Sequence, residues 1–182
     1  IQLGPVSDEQ RRVYTLVLKG HLSLQNLCFP RGASGTQLDA VARTAMWREG
    51  MNFMHGTGHG VGSYLSVHEG PHQIRQEYRP APMLEGMTVT DEPGLYLEGK
   101  FGVRIENTLL TVPYITTEFG RFLRFEPLTL CPIDTAPIVK EMLSAEETAC
   151  LNAYHEMVYD RLAPHLDEEH RTWLRKKTQA LR

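Results

Sequence analysis

Apolar residues recur at helical spacing from Val13 through Leu16, Val17, Leu24 and Leu27. An amphipathic helix reaching about residue 27 is therefore expected. Ser7-Asp8-Glu9-Gln10 gives its start, with Ser7 as N-cap and Gln10 at the third helical position of a capping box. Lys19, Gly20 and His21 fall mid-helix, and His21 reads as a surface or core histidine without a catalytic task. Phe29-Pro30-Arg31-Gly32 breaks the pattern. A second helix is expected from Thr36 as cap, with Asp39 near the positive end of the dipole. Leu38, Val41, Ala42 and Ala45 are its apolar stripe, and Gly50 its stop. An apolar segment spans Tyr64 to Val67, and residues 69–86 read as a loop punctuated by Pro71, Pro80 and Pro82. Met87 to Glu92 alternates and predicts a strand, which Pro93-Gly94 interrupts. Gly102 to Val112 predicts a second strand, with Arg104, Glu106 and Thr108 on one face and Val103, Ile105 and Asn107 on the other. Ser144-Ala145-Glu146-Glu147 is another capping box, opening a helix to about Leu162. A charge-rich helix over about Asp167 to Leu181 ends the chain.

Composition narrows the class but not the chemistry. A chain of 182 residues suggests one domain, or one domain and a tail. At 41% hydrophobic and 23% charged it is ordinary for a globular protein. The net charge of -3 gives no electrostatic reason to expect nucleic acid. No apolar run is long enough for a membrane span. The start at Ile1, without an initiator Met or a leader pattern, fits a mature cut or a trimmed chain equally. Cys28, Cys131 and Cys150 are odd in number, far apart and without metal spacing, which favours a reducing cytosol.

The chemistry concentrates in His55-Gly56-Thr57-Gly58-His59-Gly60-Val61-Gly62. Two histidines four apart could share a helix face, but four alternating glycines argue against a helix, at about 1 kcal/mol each. They suit an extended backbone that something approaches closely. His68 follows in Val67-His68-Glu69-Gly70-Pro71. If the two strands pair antiparallel about Gly99, Glu92 and Glu106 face each other directly. Like charges so placed repel, so either one carboxyl is protonated or a cation lies between them. A divalent metal with His59 as imidazole ligand is the economical solution. The bland alternative has both glutamates in water. His72 reads as loop surface, His155, His165 and His170 as structural or solvated, and Trp47 and Trp173 as packing residues.

These segments, with Thr90-Asp91-Glu92-Pro93-Gly94 and Arg104-Ile105-Glu106-Asn107, resemble the successive motifs of aminopeptidase P, the Xaa-Pro branch of the pita-bread metallopeptidases. The flanks are similar too: Tyr14 to Pro30 resembles the preceding helix, and Phe125 to Leu130 with the last helices resembles the C-terminal extension of longer members. The resemblance implies an α+β chain carrying part of a pita-bread (creatinase/aminopeptidase) fold, a curved antiparallel sheet flanked by helices over residues 1–124, and a helical extension over 125–182. It implies two divalent metal ions, manganese first and zinc or cobalt as alternatives, and hydrolysis of the N-terminal Xaa-Pro bond by a metal-bridged hydroxide. His59, Glu92 and Glu106 would be metal ligands. His55 and His68 would contact substrate, Glu92 would accept a proton, and Arg104 and Tyr96 would orient ligands and substrate. A cytoplasmic homodimer acting on peptides with proline second is implied, with residues 140–182 as candidate interface and no nucleic acid or membrane partner.

One departure is large. The family supplies two further aspartate ligands upstream of the first helix, and no Asp pair here replaces them: Asp8 and Asp39 lie on helices, and Asp91 alternates away from Glu92. The expectation is a C-terminal fragment, inactive alone and prone to self-association. A prolidase acting on Xaa-Pro dipeptides and a non-catalytic peptide-binding module are the alternatives.

Overall fold

The computed structural model describes residues 1–182. The elements run α1 (Asp8–Gln25), β1 (Cys28–Pro30), α2 (Gly35–Trp47), β2 (Gly58–His59), β3 (Gln73–Ile74), β4 (Thr88–Asp91), β5 (Gly94–Leu97), β6 (Phe101–Arg104), β7 (Asn107–Thr117), β8 (Gly120–Pro127), α3 (Ala145–Leu162) and α4 (Glu168–Lys177). The class is α+β, as expected. The chain divides into two compact units, one of residues 16–129 and one of residues 1–15 with 130–182.

The larger unit is built on an antiparallel sheet in the order β1-β8-β7-β4, with two-stranded ribbons β2-β3 and β5-β6. Its core joins Leu24 from α1, Leu38 and Ala42 from α2, and Val89, Leu109, Leu123 and Phe125 from the sheet. The rings of Phe29 and Phe125 lie 4.9 Å apart within it. The strand expected over 102–112 is two strands, because the backbone leaves the ladder at Ile105-Glu106. Sequence reading also missed β5, since Pro93-Gly94 ends one ladder but opens another.

Two expectations about α2 need correction. Its N-cap is Ser34, in a capping box with Gln37, while the Thr36 hydroxyl donates to the Glu77 carbonyl instead. Asp39 does not simply favour the helix dipole. It is buried and accepts the Arg43 Nε–H at 2.6 Å. On α1, His21 is a core residue whose Nδ1 lies 3.1 Å from Asp91, both fully buried. Burial pushes the Asp91 carboxyl above its usual range, and His21 opposes that shift. The Ser7–Gln10 capping box forms as expected. Trp47 and Trp173 are not packed away, being 44% and 54% exposed.

In the smaller unit α3 starts at Ser144, which accepts from the Glu147 N–H. Buried His155 accepts the Ile133 N–H at 3.1 Å through Nε2, which fixes the neutral ring. Burial holds its pKa below 6.5. Between the folded and unfolded pKa values the unfolded chain binds more protons. Its contribution to stability is thus full above pH 6.5 and falls as pH drops through the folded pKa. Urea midpoints measured from pH 7.5 to 5 are expected to decline, and the His155 ring proton shift to stay at its neutral value below pH 6.5. A ring that protonates near pH 7 would contradict this.

Candidate active site

The glycine-histidine stretch is extended backbone held on both sides. β2 pairs with β3, Gly58 opposite Ile74 and His59 opposite Gln73. On its other side the Glu92 N–H donates to the Thr57 carbonyl at 2.8 Å, and the His59 N–H to Thr90 Oγ1 at 3.0 Å. A Cβ on Gly58 would collide with the Thr90 carbonyl oxygen, and one on Gly60 with the Glu69 carbonyl and the His72 ring. The close approach expected from the glycines is therefore made by β4 and the 69–72 turn. Only this spacing allows His59 and Glu92 to come from adjacent backbones to one point.

There His59 Nε2 lies 3.3 Å from Glu92 Oε1. His59 Nδ1 is 3.0 Å from its neighbour Gly60's carbonyl, to which it donates, so Nε2 is the ring nitrogen turned to Glu92. Two electron-rich atoms at this separation call for a proton or cation between them. An ion about 2.0–2.2 Å from nitrogen and oxygen ligands spans such a bite. Thr90 Oγ1 donates to the same Glu92 oxygen at 2.9 Å, and Arg104 reaches the other carboxylate oxygen at 3.1 Å.

Glu106 stands where the hairpin reading puts it. Asp91 pairs with Asn107 and Gly94 with Arg104, and every such pair is symmetric about Gly99. Glu92 and Glu106 occupy the opposed positions between these ladders. Partial desolvation, and then the Glu92 charge, raise the Glu106 carboxyl above its usual range. That is the like-charge conflict in physical form. No three His, Cys, Asp or Glu side chains are gathered closely enough to hold a metal ion. The donor chemistry, one imidazole and two carboxylates, suits a hard divalent cation, but the cage is incomplete in this chain.

Beside the pair runs a polar network. His55 Nδ1 donates to the Gly56 carbonyl at 2.7 Å, and its Nε2 lies 3.0 Å from the Tyr96 hydroxyl, which accepts from Arg104 Nε at 2.8 Å. Desolvation is the leading cause that lowers the His55 pKa, and the Arg104 charge adds to it. The His68 ring packs on His59 with centroids 4.1 Å apart. His55, His59, His68, Glu92 and Arg104 line one cleft of about 260 Å³, together with Gln73 and Arg75. Tyr96 stands beside it through its bond to His55, and Glu106 is exposed.

Sequence reasoning missed two supporting residues. His72 is 6% exposed rather than loop surface, and its Nε2 donates to the Thr88 carbonyl at 2.7 Å. Arg43 is buried and donates to the carbonyls of Phe53 and His55. The i, i+4 spacing of Asp39 and Arg43 was the available signal. Nothing local marked His72.

The family model of metallopeptidase family M24 matches residues 1–113, and that of the C-terminal region of peptidase M24 matches 121–181. The chain belongs to metallopeptidase family M24. Aminopeptidase P1 of Lotus japonicus is 44% identical over 184 residues, covering 98% of this chain and 28% of the relative. Aminopeptidase P1 of Arabidopsis thaliana is likewise 44% identical over 185 residues, with the same coverage. The crystal structure of X-prolyl aminopeptidase from Caenorhabditis elegans, described as a cytosolic enzyme with a di-nuclear active site, superposes with a TM-score of 0.90 at 39% identity, over 98% of this chain and 30% of that one. Prolidase from Pyrococcus furiosus gives 0.57 at 33% identity, over 69% of this chain and 34% of that one. This M24 chain thus has the expected pita-bread relatives and spans under a third of the length of each aminopeptidase named here.

Proposed function

We propose that this chain supplies the C-terminal part of the catalytic centre of an Xaa-Pro aminopeptidase. The observation that carries the reading is the His59 Nε2–Glu92 Oε1 approach at 3.3 Å, with Glu106 opposite Glu92 in register. His59, Glu92 and Glu106 would hold divalent metal, manganese by preference, alongside ligands supplied from outside these residues. When bound, the ions polarise the scissile carbonyl and lower the pKa of attacking water. Glu92 is placed to accept that water's proton, while Arg104 holds its second oxygen. Neutral His55 and exposed His68 line the cleft, where His68 can hydrogen-bond substrate directly and His55 by exchanging its Tyr96 partner for it. Residues 1–124 would belong to the catalytic domain and 125–182 to the extension, in a cytoplasmic dimer.

The test is manganese-dependent release of the first residue from an Xaa-Pro tripeptide. Full-length protein is expected to release it and this chain alone to be inactive. Release by this chain would refute the fragment reading, and no release by the full-length protein would refute the activity. A prolidase-like specificity is the second reading, suggested by the prolidase structures. The match over 121–181 and the TM-score of 0.90 against 0.57 favour the aminopeptidase. Cleavage of a dipeptide in preference to a tripeptide would reverse that order. Absence of metal binding by the full-length protein would point to a peptide-binding module.

A further inference from the structure

Arg43 is a cation with 1% of its surface exposed, far from solvent yet close to the cleft. Its partners account for the whole guanidinium fork. Nε and Nη2 grip the Asp39 carboxylate at 2.6 and 3.1 Å. Nη1 donates to the Phe53 carbonyl at 2.6 Å and to Asn52 Oδ1 at 3.0 Å. Nη2 also donates to the His55 carbonyl at 3.0 Å. Asp39 in turn accepts the Thr57 hydroxyl at 2.6 Å. The guanidinium stands 3.7 Å over the Phe53 ring, whose centroid is 4.7 Å from that of His55. One ion pair on α2 therefore holds residues 52–57 through four backbone or side-chain groups and a ring stack.

We infer that Arg43, locked by Asp39, is the positioning residue that fixes His55 toward the cleft. The segment has no helix or strand of its own before Gly58, so these bonds replace a ladder. A lysine could keep the charge but not the planar fork that reaches a carboxylate and two carbonyls together. This rests on the reading of His55 as substrate-facing, but its first test does not.

That test is amide hydrogen exchange on this chain. Asp39→Asn with Arg43→Gln removes both charges together, so neither is left buried alone. Exchange at residues 54–57 is expected to quicken at least ~10-fold, with the β7–β8 amides unchanged. Arg43→Lys should give a smaller increase at the same amides. Unchanged exchange at 54–57, or uniformly faster exchange along the chain in both variants, would overturn the inference. In full-length protein Arg43→Lys is expected to lower kcat about 10–100-fold with little change in KM, as for other residues that orient a working group through another. A loosened segment with unchanged kcat would refute the role given to His55 and leave the brace standing.

Discussion

Replacing Glu92 by glutamine is expected to lower kcat/KM for an Xaa-Pro tripeptide by about 10²–10⁴-fold in the full-length protein, the range for losing a positioned proton acceptor. The substitution keeps the shape and removes the charge at the point where three partners meet. His59 Nε2, Thr90 Oγ1 and an Arg104 nitrogen lie 3.3, 2.9 and 3.1 Å from the Glu92 carboxylate. An amide cannot serve all of them, since it offers one acceptor oxygen and its NH2 repels the guanidinium. Divalent metal binding should weaken with activity. The fold should not suffer, because the like-charge strain with Glu106 is relieved. The Glu106 carboxyl, raised in part by Glu92, should titrate lower in the variant. Its side-chain carbon shift in NMR reads this directly. Activity within tenfold of the parent, with metal stoichiometry intact, would remove Glu92 from the chemistry.

Gly58→Ala is the second large effect, and it acts on the fold. The added Cβ would strike the Thr90 carbonyl oxygen, which belongs to the backbone of β4 and cannot swing aside. The strand bearing His59 would have to separate from the strand leading to Glu92. A loss of more than about 3 kcal/mol is expected, beyond ordinary overpacking. Gly56→Ala is the matched control. Its Cβ would meet Arg75 Cβ at 3.4 Å, an ordinary contact, so a change of about 1 kcal/mol or less is expected. Urea denaturation of both variants at neutral pH settles the comparison. Equal stabilities would mean that β2 and β4 are not held together as described.

The contrast between these two glycines shows where sequence reading stops. Four alternating glycines announced a close approach, but not which of them was indispensable or what approached. The capping boxes at Ser7 and Ser144 were legible because their partners lie three residues away. The Gly99 axis was legible for the same reason: a short hairpin fixes the register of everything that continues from it. β5 was hidden because a Pro-Gly step ends one ladder and begins the next, whereas β8 was legible: Tyr114 to Thr117 and Phe122 to Phe125 flank Gly120 as two strand-forming runs about a turn.

By itself the sequence determined the set of chemical groups, the order of motifs and the pairing of Glu92 against Glu106. These follow from residue identity and from spacing along one hairpin. The tertiary structure alone decided that His59 meets Glu92 across a glycine-only gap, that Arg43 and Asp39 are buried beneath His55, and that His72 supports Gly60 from inside. Each of these depends on packing between segments 10 to 30 or more residues apart, where a side chain's surroundings are set by neighbours that no local pattern records.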